Sequence, residues 1–366
     1  MHAIAEAVSS PQRLSQSIRR HNRGVVLRTL LREKVASRAD LARLTGLTRP
    51  TISHVVASLL DDGVVIEKGV RAASGPGKPA VLLEFDHRAT QVLAIDLSAP
   101  GFAAAALVTS DGTVLQRISQ PVASDASLIA TAGELASTLK GESEYPLLGI
   151  GVAVAMCFDA CDALTATLAA LTSAPVHIAV DTDLAARAEH RFGDSKDDFL
   201  LVRVGVRTST AIVTGVAKAL QHHASAAREL AHTTVTVSDQ PAADATPCRC
   251  QRTGCVHQAI ELALSAHQPL SEADATTQRQ LRIEAGARLG NALAPIVSAL
   301  DLPSVVLSGS EALIDDDFCA AAESALLSIT QTVFQTSRET VRRAQVADAV
   351  LRGAAALVAT SEVSGF

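Results

Sequence analysis

The sequence predicts an α/β protein made of two unlike parts: a small helical N-terminal part that ends in a β-hairpin, and a longer part with two α/β halves. Three observations support this: a division of charge along the chain, apolar residues at helical spacing in the first quarter, and strands that alternate with helices from Gln91 onward. Hydrophobic residues make up 48% of the 366 residues and charged residues 19%. This composition is typical of folded globular proteins rather than disordered chains, and the length allows about two or three domains.

Charge divides the chain near residue 88. Residues 1–88 carry 14 Lys and Arg against 8 Asp and Glu, a formal charge of +6, whereas the remaining residues carry 18 basic and 30 acidic side chains, a formal charge of −12. A basic module joined to an acidic domain is typical of a protein that binds nucleic acid through its N-terminal part, because Lys and Arg release the counterions condensed on phosphates. A basic solvated tail would carry the same charge, so composition leaves both interpretations open.

The first two predicted helices have clear start and stop signals. Apolar residues recur at helical spacing from Val26 to Leu31. Ser37 is a typical N-cap for the second helix, and Asp40 three residues later completes a capping-box pattern. Gly46 then supplies a tight turn, so that a third helix can follow closely.

The third predicted helix begins after its N-cap Thr48, tolerates Pro50 in its first turn and ends before Gly63. Its apolar residues follow the i, i+3, i+4, i+7 rule and form one face: Ile52, Val55, Val56 and Leu59. Two strands follow, at Val64–Glu67 and Ala80–Phe85, with a turn-rich stretch between them. The pattern predicts a helix-turn-helix with a β-hairpin wing, and a plain three-helix bundle is the alternative.

The polar face of the third helix carries the candidate DNA contacts. Short polar side chains and one Arg near the N-terminal end of a recognition helix can reach base edges and phosphates in the major groove. The residues assigned to this surface are Thr48, Arg49, Thr51, Ser53 and His54. The turn of the hairpin adds Gly77, Lys78 and Pro79, which we expect to approach the adjacent minor groove or the backbone.

From Gln91 onward the pattern favours two related α/β halves. Asp111 and Gly112 form a hairpin turn signal, and helices are predicted at Ser127–Leu139 and from Asp183. The predicted strands are Gln91–Ser98, Phe102–Val108, Thr113–Ile118, Leu147–Val154, Val176–Val180, Phe199–Val204 and Thr210–Val216.

Four motifs in this longer part, together with the helix-turn-helix, carry a resemblance to a known family. They are Val180–Asp183, Glu229–His232, the cysteine motif from Cys248 to Cys255, and Pro303–Gly309. On these residues the chain resembles ROK (repressor, ORF, kinase) family transcriptional regulators of the NagC/XylR type, which join a winged helix-turn-helix to a domain similar to bacterial sugar kinases. The resemblance covers nearly the whole chain. It implies an α/β, two-lobed, actin-like (ribonuclease-H-like) ROK sugar-kinase fold after the winged helix-turn-helix.

The same resemblance implies the domain organisation. We predict an N-terminal arm at 1–21, a winged helix-turn-helix DNA-binding domain at 22–88, and a ROK domain with two α/β lobes at 89–366. A zinc-binding segment at 232–255 would lie within the ROK domain.

The cysteine spacing favours a metal site. Cys248, Cys250 and Cys255 lie close together in sequence, which is more typical of metal ligands in a reducing compartment than of a disulfide framework. The resemblance implies His232 as a fourth ligand, and three thiolates with one imidazole suit structural Zn²⁺ in a closed tetrahedral shell. Fifteen residues separate His232 from Cys248, a longer connection than the family usually shows. Three reduced free cysteines in a loop are the alternative.

The resemblance also implies a sugar-binding site. In kinases of this family an Asn-Asp pair holds the sugar, and the Asp acts as general base. Here the pair is Thr182-Asp183, so the carboxylate persists and a hydroxyl replaces the amide. Glu229 is retained in a second sugar-binding motif, and His257 stands where the family has Glu. We predict Asp183, Glu229 and His257 as effector-binding residues for a sugar or sugar phosphate; a helix cap at Asp183 and a solvated Glu229 are the alternative.

Both phosphate-binding turns of such kinases are altered in this chain. Residues Asp96 to Pro100 read Asp-Leu-Ser-Ala-Pro where the kinases carry Asp-x-Gly-Gly-Thr. Side chains at the two glycine positions obstruct the approach of backbone N–H groups to phosphates, and Pro100 has no N–H to donate. The second turn, Gly205 to Ser209, is equally poor in glycine. The sequence therefore predicts neither ATP binding nor kinase activity.

The sequence thus predicts a DNA-binding transcriptional regulator of carbohydrate-related genes that acts on a double-stranded operator as a homodimer or a dimer of dimers. The N-terminal residues lack a signal-peptide pattern, and the longest apolar run, Leu147–Phe158, is well short of the ~20 residues that span a bilayer. We therefore expect a cytoplasmic protein without membrane association. A sugar kinase with an added regulatory arm and a ligand-independent DNA-binding protein are the alternatives.

Overall fold

The structure is a computed structural model that describes residues 11–71, 80–88, 90–143, 145–155, 158–194, 198–205, 208–214, 232, 255–258, 274–309, 313–330 and 341–364. The contacts divide the chain into two compact units. One comprises Met1–Ala179 with Ala354–Phe366, and the other comprises Val180–Gly353. Among the described residues, no helix is both long and apolar enough to cross a membrane.

The N-terminal part is the predicted helix-turn-helix with a β-hairpin wing. Its elements are α1 (Pro11–Glu33), β1 (Val35–Ser37), α2 (Arg38–Thr45), α3 (Arg49–Asp61), β2 (Val65–Arg71) and β3 (Ala80–Phe85). The strands pair antiparallel in the order β1-β3-β2. One apolar core joins the three helices and the sheet through Leu30, Leu41, Ile52 and Leu83, and each of these side chains is 1% exposed or less.

The signals that delimit the second helix act as predicted. The Ser37 hydroxyl accepts a hydrogen bond from the Asp40 amide at 3.2 Å, and the Asp40 carboxylate accepts one from the Ser37 amide at 3.1 Å. This reciprocal pair is a capping box, which satisfies N–H groups that the first turn of a helix leaves unpaired. Gly46 ends α2 in the left-handed region, with φ of 73°, so the chain can turn directly into α3.

Three features of this part differ from the sequence prediction. Residues 11–21, which we predicted as an arm, are helical and continuous with the rest of α1; the apolar spacing from Val26 marks only the part of α1 that enters the core. Strand β1 was missed, because three residues are too few to show a periodicity. Strand β2 runs to Arg71, beyond the predicted end at Glu67, with an irregularity between Glu67 and Gly69.

The first α/β half is a five-stranded sheet with helices. Its elements are β4 (Gln91–Asp96), β5 (Phe102–Thr109), β6 (Val114–Pro121), a 3₁₀ turn (Asp125–Ser127), α4 (Leu128–Glu142), β7 (Leu147–Val154), α5 (Cys161–Thr172) and β8 (Val176–Val180). The strand order is β6-β5-β4-β7-β8, with β4 antiparallel to β5 and parallel to β7. Parallel neighbours require a crossover connection, which α4 provides between β6 and β7.

The predicted hairpin turn joins β5 to β6. Gly112 adopts a positive φ of 87°, which a glycine tolerates without strain. The Asp111 carboxylate accepts hydrogen bonds from the Thr109 hydroxyl and, at 3.1 Å, from the Thr113 amide. Burial raises the pKa of this carboxyl, but the hydrogen bonds from Thr109 and Thr113 outweigh burial and hold the pKa below its ordinary value.

The second α/β half repeats much of this arrangement. Its elements are α6 (Asp181–Phe192), β9 (Phe199–Val204), β10 (Ser209–Val213), α7 (Ala275–Ala299), β11 (Ser304–Gly309), α8 (Asp316–Thr330) and β12 (Val341–Arg343). The last helix, α9 (Ala349–Ser364), begins in the second unit and belongs to the first unit from Ala354 onward. The strand order is β10-β9-β11-β12, with β9 antiparallel to β10 and parallel to β11. This repeats the order β5-β4-β7-β8 of the first half, which confirms the prediction of two related halves.

A buried carboxylate ties α6 to the segment after β12. Glu189 is fully buried, and its Oε1 accepts hydrogen bonds from the Gln345 and Val346 amides, both at 2.7 Å. Its Oε2 lies 3.3 Å from Nη1 of Arg342. A buried charge is tolerated only when it is paired and hydrogen-bonded in this way, so Glu189 fixes the C-terminal half of α6.

We expect the Ser37→Ala variant to lower the local stability of α2 by about 1 kcal/mol, because it removes the capping hydroxyl. Amide hydrogen exchange of the α2 residues in the full chain should then be about fivefold faster. Ser53→Ala is the matched control: Ser53 is an exposed residue inside α3, where Ala is a better helix former than Ser. Unchanged exchange of α2 in Ser37→Ala would show that the capping box contributes nothing.

Candidate nucleic-acid interface and ligand-binding residues

Helix α3 has one buried and one exposed face. Ile52, Val56 and Leu59 are 1% exposed or less, and these side chains fix the helix against the core of the N-terminal part. The predicted DNA-contacting residues Arg49, Ser53 and His54 are exposed on the other side. The structure therefore presents these three side chains together on one solvent-facing surface.

Thr48 and Thr51 form the N-terminal cap of α3. The Thr48 hydroxyl accepts a hydrogen bond from the Thr51 amide at 3.4 Å, and the two hydroxyls lie 2.9 Å apart. Thr51 is half-buried and Thr48 is exposed. Capping thus accounts for the local role of both residues, and it leaves their hydroxyls at the end of the helix that a recognition helix points toward DNA.

A contact that the sequence did not reveal holds α1 against the end of α3. The Arg23 guanidinium lies 2.6 Å from Oδ2 of Asp62 and donates a hydrogen bond to the Ser58 hydroxyl at 3.2 Å. Asp62 is the residue that ends α3. The side chains of Arg23 and Asp62 are 21% and 51% exposed, so water screens part of their attraction. No sequence signal identifies this pair, because the two residues lie far apart in the chain.

Of the wing, the structure describes the two strands β2 and β3. The Lys68 ammonium lies 2.6 Å from the Glu84 carboxylate across the paired strands β2 and β3. Gly77, Lys78 and Pro79 lie outside the described residues. Their approach to DNA stays a prediction.

The residues that open α6 are engaged with each other and with the neighbouring strands. The Thr182 side chain, which replaces the amide of the sugar-binding pair, is fully buried, and its hydroxyl lies 2.5 Å from that of Ser209. Asp181 lies 2.5 Å from the guanidinium of Arg203 on β9. The hydroxyl of Thr182 is therefore hydrogen-bonded within the second unit.

Asp183 lies on the buried side of α6, with 7% of its surface exposed. Arg187 follows one helical turn later. Burial lowers the pKa of the Arg187 guanidinium below its ordinary value, the positive charge of Arg191 lowers it further, and the carboxylate of Asp183 opposes this shift. Asp183 therefore has an electrostatic partner on its own helix, a role that does not require a ligand.

His257 is hydrogen-bonded to the turn between β9 and β10. Its Nδ1 accepts a hydrogen bond from the Thr208 amide at 3.1 Å. A ring nitrogen that accepts carries no hydrogen, so the proton of the neutral imidazole lies on Nε2. Glu229, the third predicted effector-binding residue, lies outside the described residues. Of the three predicted effector-binding residues, Asp183 and His257 are described, and the effector site stays a prediction.

Two of the four predicted zinc ligands belong to the described residues. Cys255 is fully buried and its sulfur accepts a hydrogen bond from the Gln258 amide at 3.5 Å. The ring of His232 packs edge-on against that of His257, with 6.1 Å between the centroids, so His232 lies near the Cys255 segment. A buried sulfur and a nearby imidazole are donors that suit Zn²⁺. Cys248 and Cys250 lie outside the described residues, and within the described ones no group of three or more potential ligands could hold a metal ion.

The turn after β4 is closed by its own side chains. Oδ1 of Asp96 accepts hydrogen bonds from the Ser98 amide at 2.9 Å and from the Ser98 hydroxyl at 2.6 Å. This Asx-type turn uses the amide that a phosphate-binding loop would offer to a nucleotide. Ala99 and Pro100 follow at exposed positions.

The chain thus joins two kinds of domain. The first is a winged helix-turn-helix, a DNA-binding fold, with its recognition helix exposed. The second consists of two α/β halves with the same strand order, as in actin-like domains. The sequence pattern described as the ROK family matches residues 158–361, more than half of the 366 residues. The chain belongs to the ROK family.

Relatives and solved structures agree with this assignment. The xylose repressor of Bacillus subtilis (strain 168) is 24% identical over 259 residues, and the match covers 65% of this chain and 65% of the repressor. The crystal structure of a ROK family transcriptional regulator, a homologue of the E. coli MLC protein, matches with a TM-score of 0.72 at 18% identity, over 95% of this chain and 98% of that one. The ROK hexokinase from Thermus thermophilus matches with a TM-score of 0.57 at 22% identity, over 73% of this chain and 97% of that one. The two structures show the fold alone, and they confirm the predicted winged helix-turn-helix followed by an actin-like domain.

Proposed function

We propose that the chain is a DNA-binding transcriptional regulator of sugar-related genes. One observation carries the proposal: α3 buries its apolar face in the core and leaves Arg49, Ser53 and His54 exposed at the N-terminal half of the helix. The basic charge of the first 88 residues, +6, supports binding to a polyanion. The resemblance to the xylose repressors supports the choice of sugar-related genes.

Recognition would follow from the chemistry of this face. The guanidinium of Arg49 can donate two hydrogen bonds to O6 and N7 of a guanine, while Ser53 and His54 can each bond to a base edge or a phosphate. Such a helix fits the major groove of B-DNA, and a two-fold symmetric pair of helices would require a nearly palindromic operator. We therefore propose a homodimer or a dimer of dimers as the DNA-binding form, acting in the cytoplasm where the DNA lies.

The test is a binding assay on a duplex enriched by the wild-type chain from a random-sequence pool, compared with a scrambled duplex at fixed salt. We expect the Arg49→Ala variant to reduce the preference for the enriched duplex by about 5-fold to 150-fold, because a bidentate base contact contributes about 1–3 kcal/mol of discrimination. The measurement is the ratio of the two Kd values from fluorescence anisotropy.

Arg28→Ala is the matched control for Arg49→Ala, because Arg28 is also an exposed arginine but lies on α1 and not on the recognition helix. It removes the same charge and should keep the preference for the enriched duplex. The proposal fails if the wild-type chain binds both duplexes equally well. The recognition-helix assignment fails if Arg49→Ala keeps the full preference.

An effector would act through the second unit, and we propose a sugar or sugar phosphate near Asp183, Glu229 and His257. Asp183 supports this because a buried carboxylate at the start of a helix can accept hydrogen bonds from sugar hydroxyls. The same binding assay, repeated with xylose and other pentoses and hexoses, provides the test. A Kd for the enriched duplex that no sugar changes would instead support a ligand-independent DNA-binding protein.

We propose further that the chain has no kinase activity, although the family includes kinases. The support is the turn after β4, where Ser98 satisfies Asp96 and Pro100 offers no N–H. We expect no ATP turnover above background in a coupled assay with a panel of hexoses and pentoses. Turnover that is lost in the Asp183→Asn variant would contradict this, because it would show that Asp183 still serves as a general base.

We propose structural Zn²⁺ held by His232, Cys248, Cys250 and Cys255. Elemental analysis of the freshly purified chain should find about one zinc per chain, and the Cys250→Ser variant should lose most of it. Cys319→Ser is the matched control: burial raises the pKa of the Cys319 thiol to about 11, so this sulfur is a poor metal ligand. Wild-type protein without metal, or Cys250→Ser with full zinc, would contradict the proposal.

A further inference from the structure

An open cavity of about 680 Å³ lies between α1 and α3 and extends the recognition surface beyond the residues assigned above. Both helices supply its walls. The lining residues are Arg19, Asn22 and Arg23 from α1 with Thr51, His54, Val55, Ser58 and Asp62 from α3 or its end.

The spacing of these residues explains why two helices share one cavity. Arg19, Asn22 and Arg23 stand at i, i+3 and i+4 and therefore occupy one face of α1. Thr51, His54 and Ser58 stand at i, i+3 and i+7 on one face of α3. Any molecule that contacts Thr51 and His54 from outside is therefore brought against this face of α1.

The two arginines of α1 differ in what they contact. Arg23 pairs with Asp62 at 2.6 Å and with Ser58 at 3.2 Å, so it holds α1 beside the end of α3. Arg19, one helical turn earlier, is exposed and makes no hydrogen bond or ion pair with the described residues. The lining contains two guanidinium groups and one carboxylate, and that carboxylate is paired with Arg23. The charge of the cavity lining that is left without an opposite charge is therefore the positive charge of Arg19.

We propose that Arg19 binds a backbone phosphate of the DNA whose major groove α3 enters, with Asn22 as a second donor to the same strand. This inference rests on the proposed function. The phosphates form the two rims of a groove about 12 Å wide, so a helix inside the groove has phosphates beside it. An exposed guanidinium on the neighbouring helix is suited to such a phosphate, because it donates hydrogen bonds in a fork that matches two phosphate oxygens.

The role of this contact would be to fix the register of α3. Phosphate contacts position a protein on the duplex and carry no sequence information themselves. Arg23 acts as a positioning residue, because it couples α1 to the end of α3 through Asp62. The part of α1 that contains Arg19 would thus be a third DNA-contacting element, in addition to the recognition helix and the wing.

The test compares the salt dependence of DNA binding for Arg19→Ala and Arg28→Ala on the enriched and scrambled duplexes. Arg28 lies nine residues after Arg19, about half a turn round the helix, and is also exposed. Arg19→Ala should reduce the slope of log K against log salt concentration by about 0.9 per bound chain and weaken binding to both duplexes alike. Arg28→Ala should leave the slope close to that of the wild-type chain.

The outcomes separate this inference from the proposed function. Equal slopes for Arg19→Ala and Arg28→Ala would overturn it, even if the wild-type chain prefers the enriched duplex and Arg49→Ala loses that preference. Loss of preference in Arg19→Ala without a change of slope would overturn the assignment to a phosphate, since it would indicate a base contact. Wild-type protein without any preference for the enriched duplex would overturn the proposed function, and this inference with it.

Discussion

Burial of the apolar face of α3 is the interaction on which the N-terminal domain depends. Each large aliphatic side chain contributes about 1.5–3 kcal/mol when it leaves water, and Ile52, Val56 and Leu59 are buried almost completely. Rotation of α3 about its axis would expose these side chains to water. Their burial therefore keeps the opposite, polar face of α3 toward solvent. The chemistry of that face is thereby fixed by packing, before any ligand is present.

The second unit uses its polar residues differently. Thr182 contacts Ser209, Asp181 pairs with Arg203, and Glu189 is satisfied by two backbone amides and Arg342. Thr182 and Glu189 are fully buried, and an unpaired buried polar group would cost about 1–3 kcal/mol. The hydroxyl of Thr182, which the resemblance aligns with the sugar-binding amide of the kinases, is therefore occupied by a contact within the protein.

The sequence was most informative where a local rule decides the structure. The capping box at Ser37, the left-handed Gly46, and strands such as Leu147–Val154 and Phe199–Val204 were predicted with their observed bounds or partners, because capping and strand periodicity act over a few residues. The N-terminal start of α1 was not predicted, since its first turns carry no regular apolar spacing. The pair formed by Arg23 and Asp62 was also missed, because contacts between distant residues of a helix bundle leave no periodic signal. The family resemblance identified the fold of the longer part, which strand order alone would not have revealed from sequence.

The turn after β4 limits what a single substitution could change. Ser98 stands where the kinases that the chain resembles carry a glycine, and its amide and hydroxyl close the turn on Asp96. Replacing Ser98 alone by glycine would break this closure while Ala99 and Pro100 still blocked the approach of a phosphate. Opening this turn to a nucleotide phosphate would therefore require several neighbouring substitutions together, because no single one of them removes every obstacle.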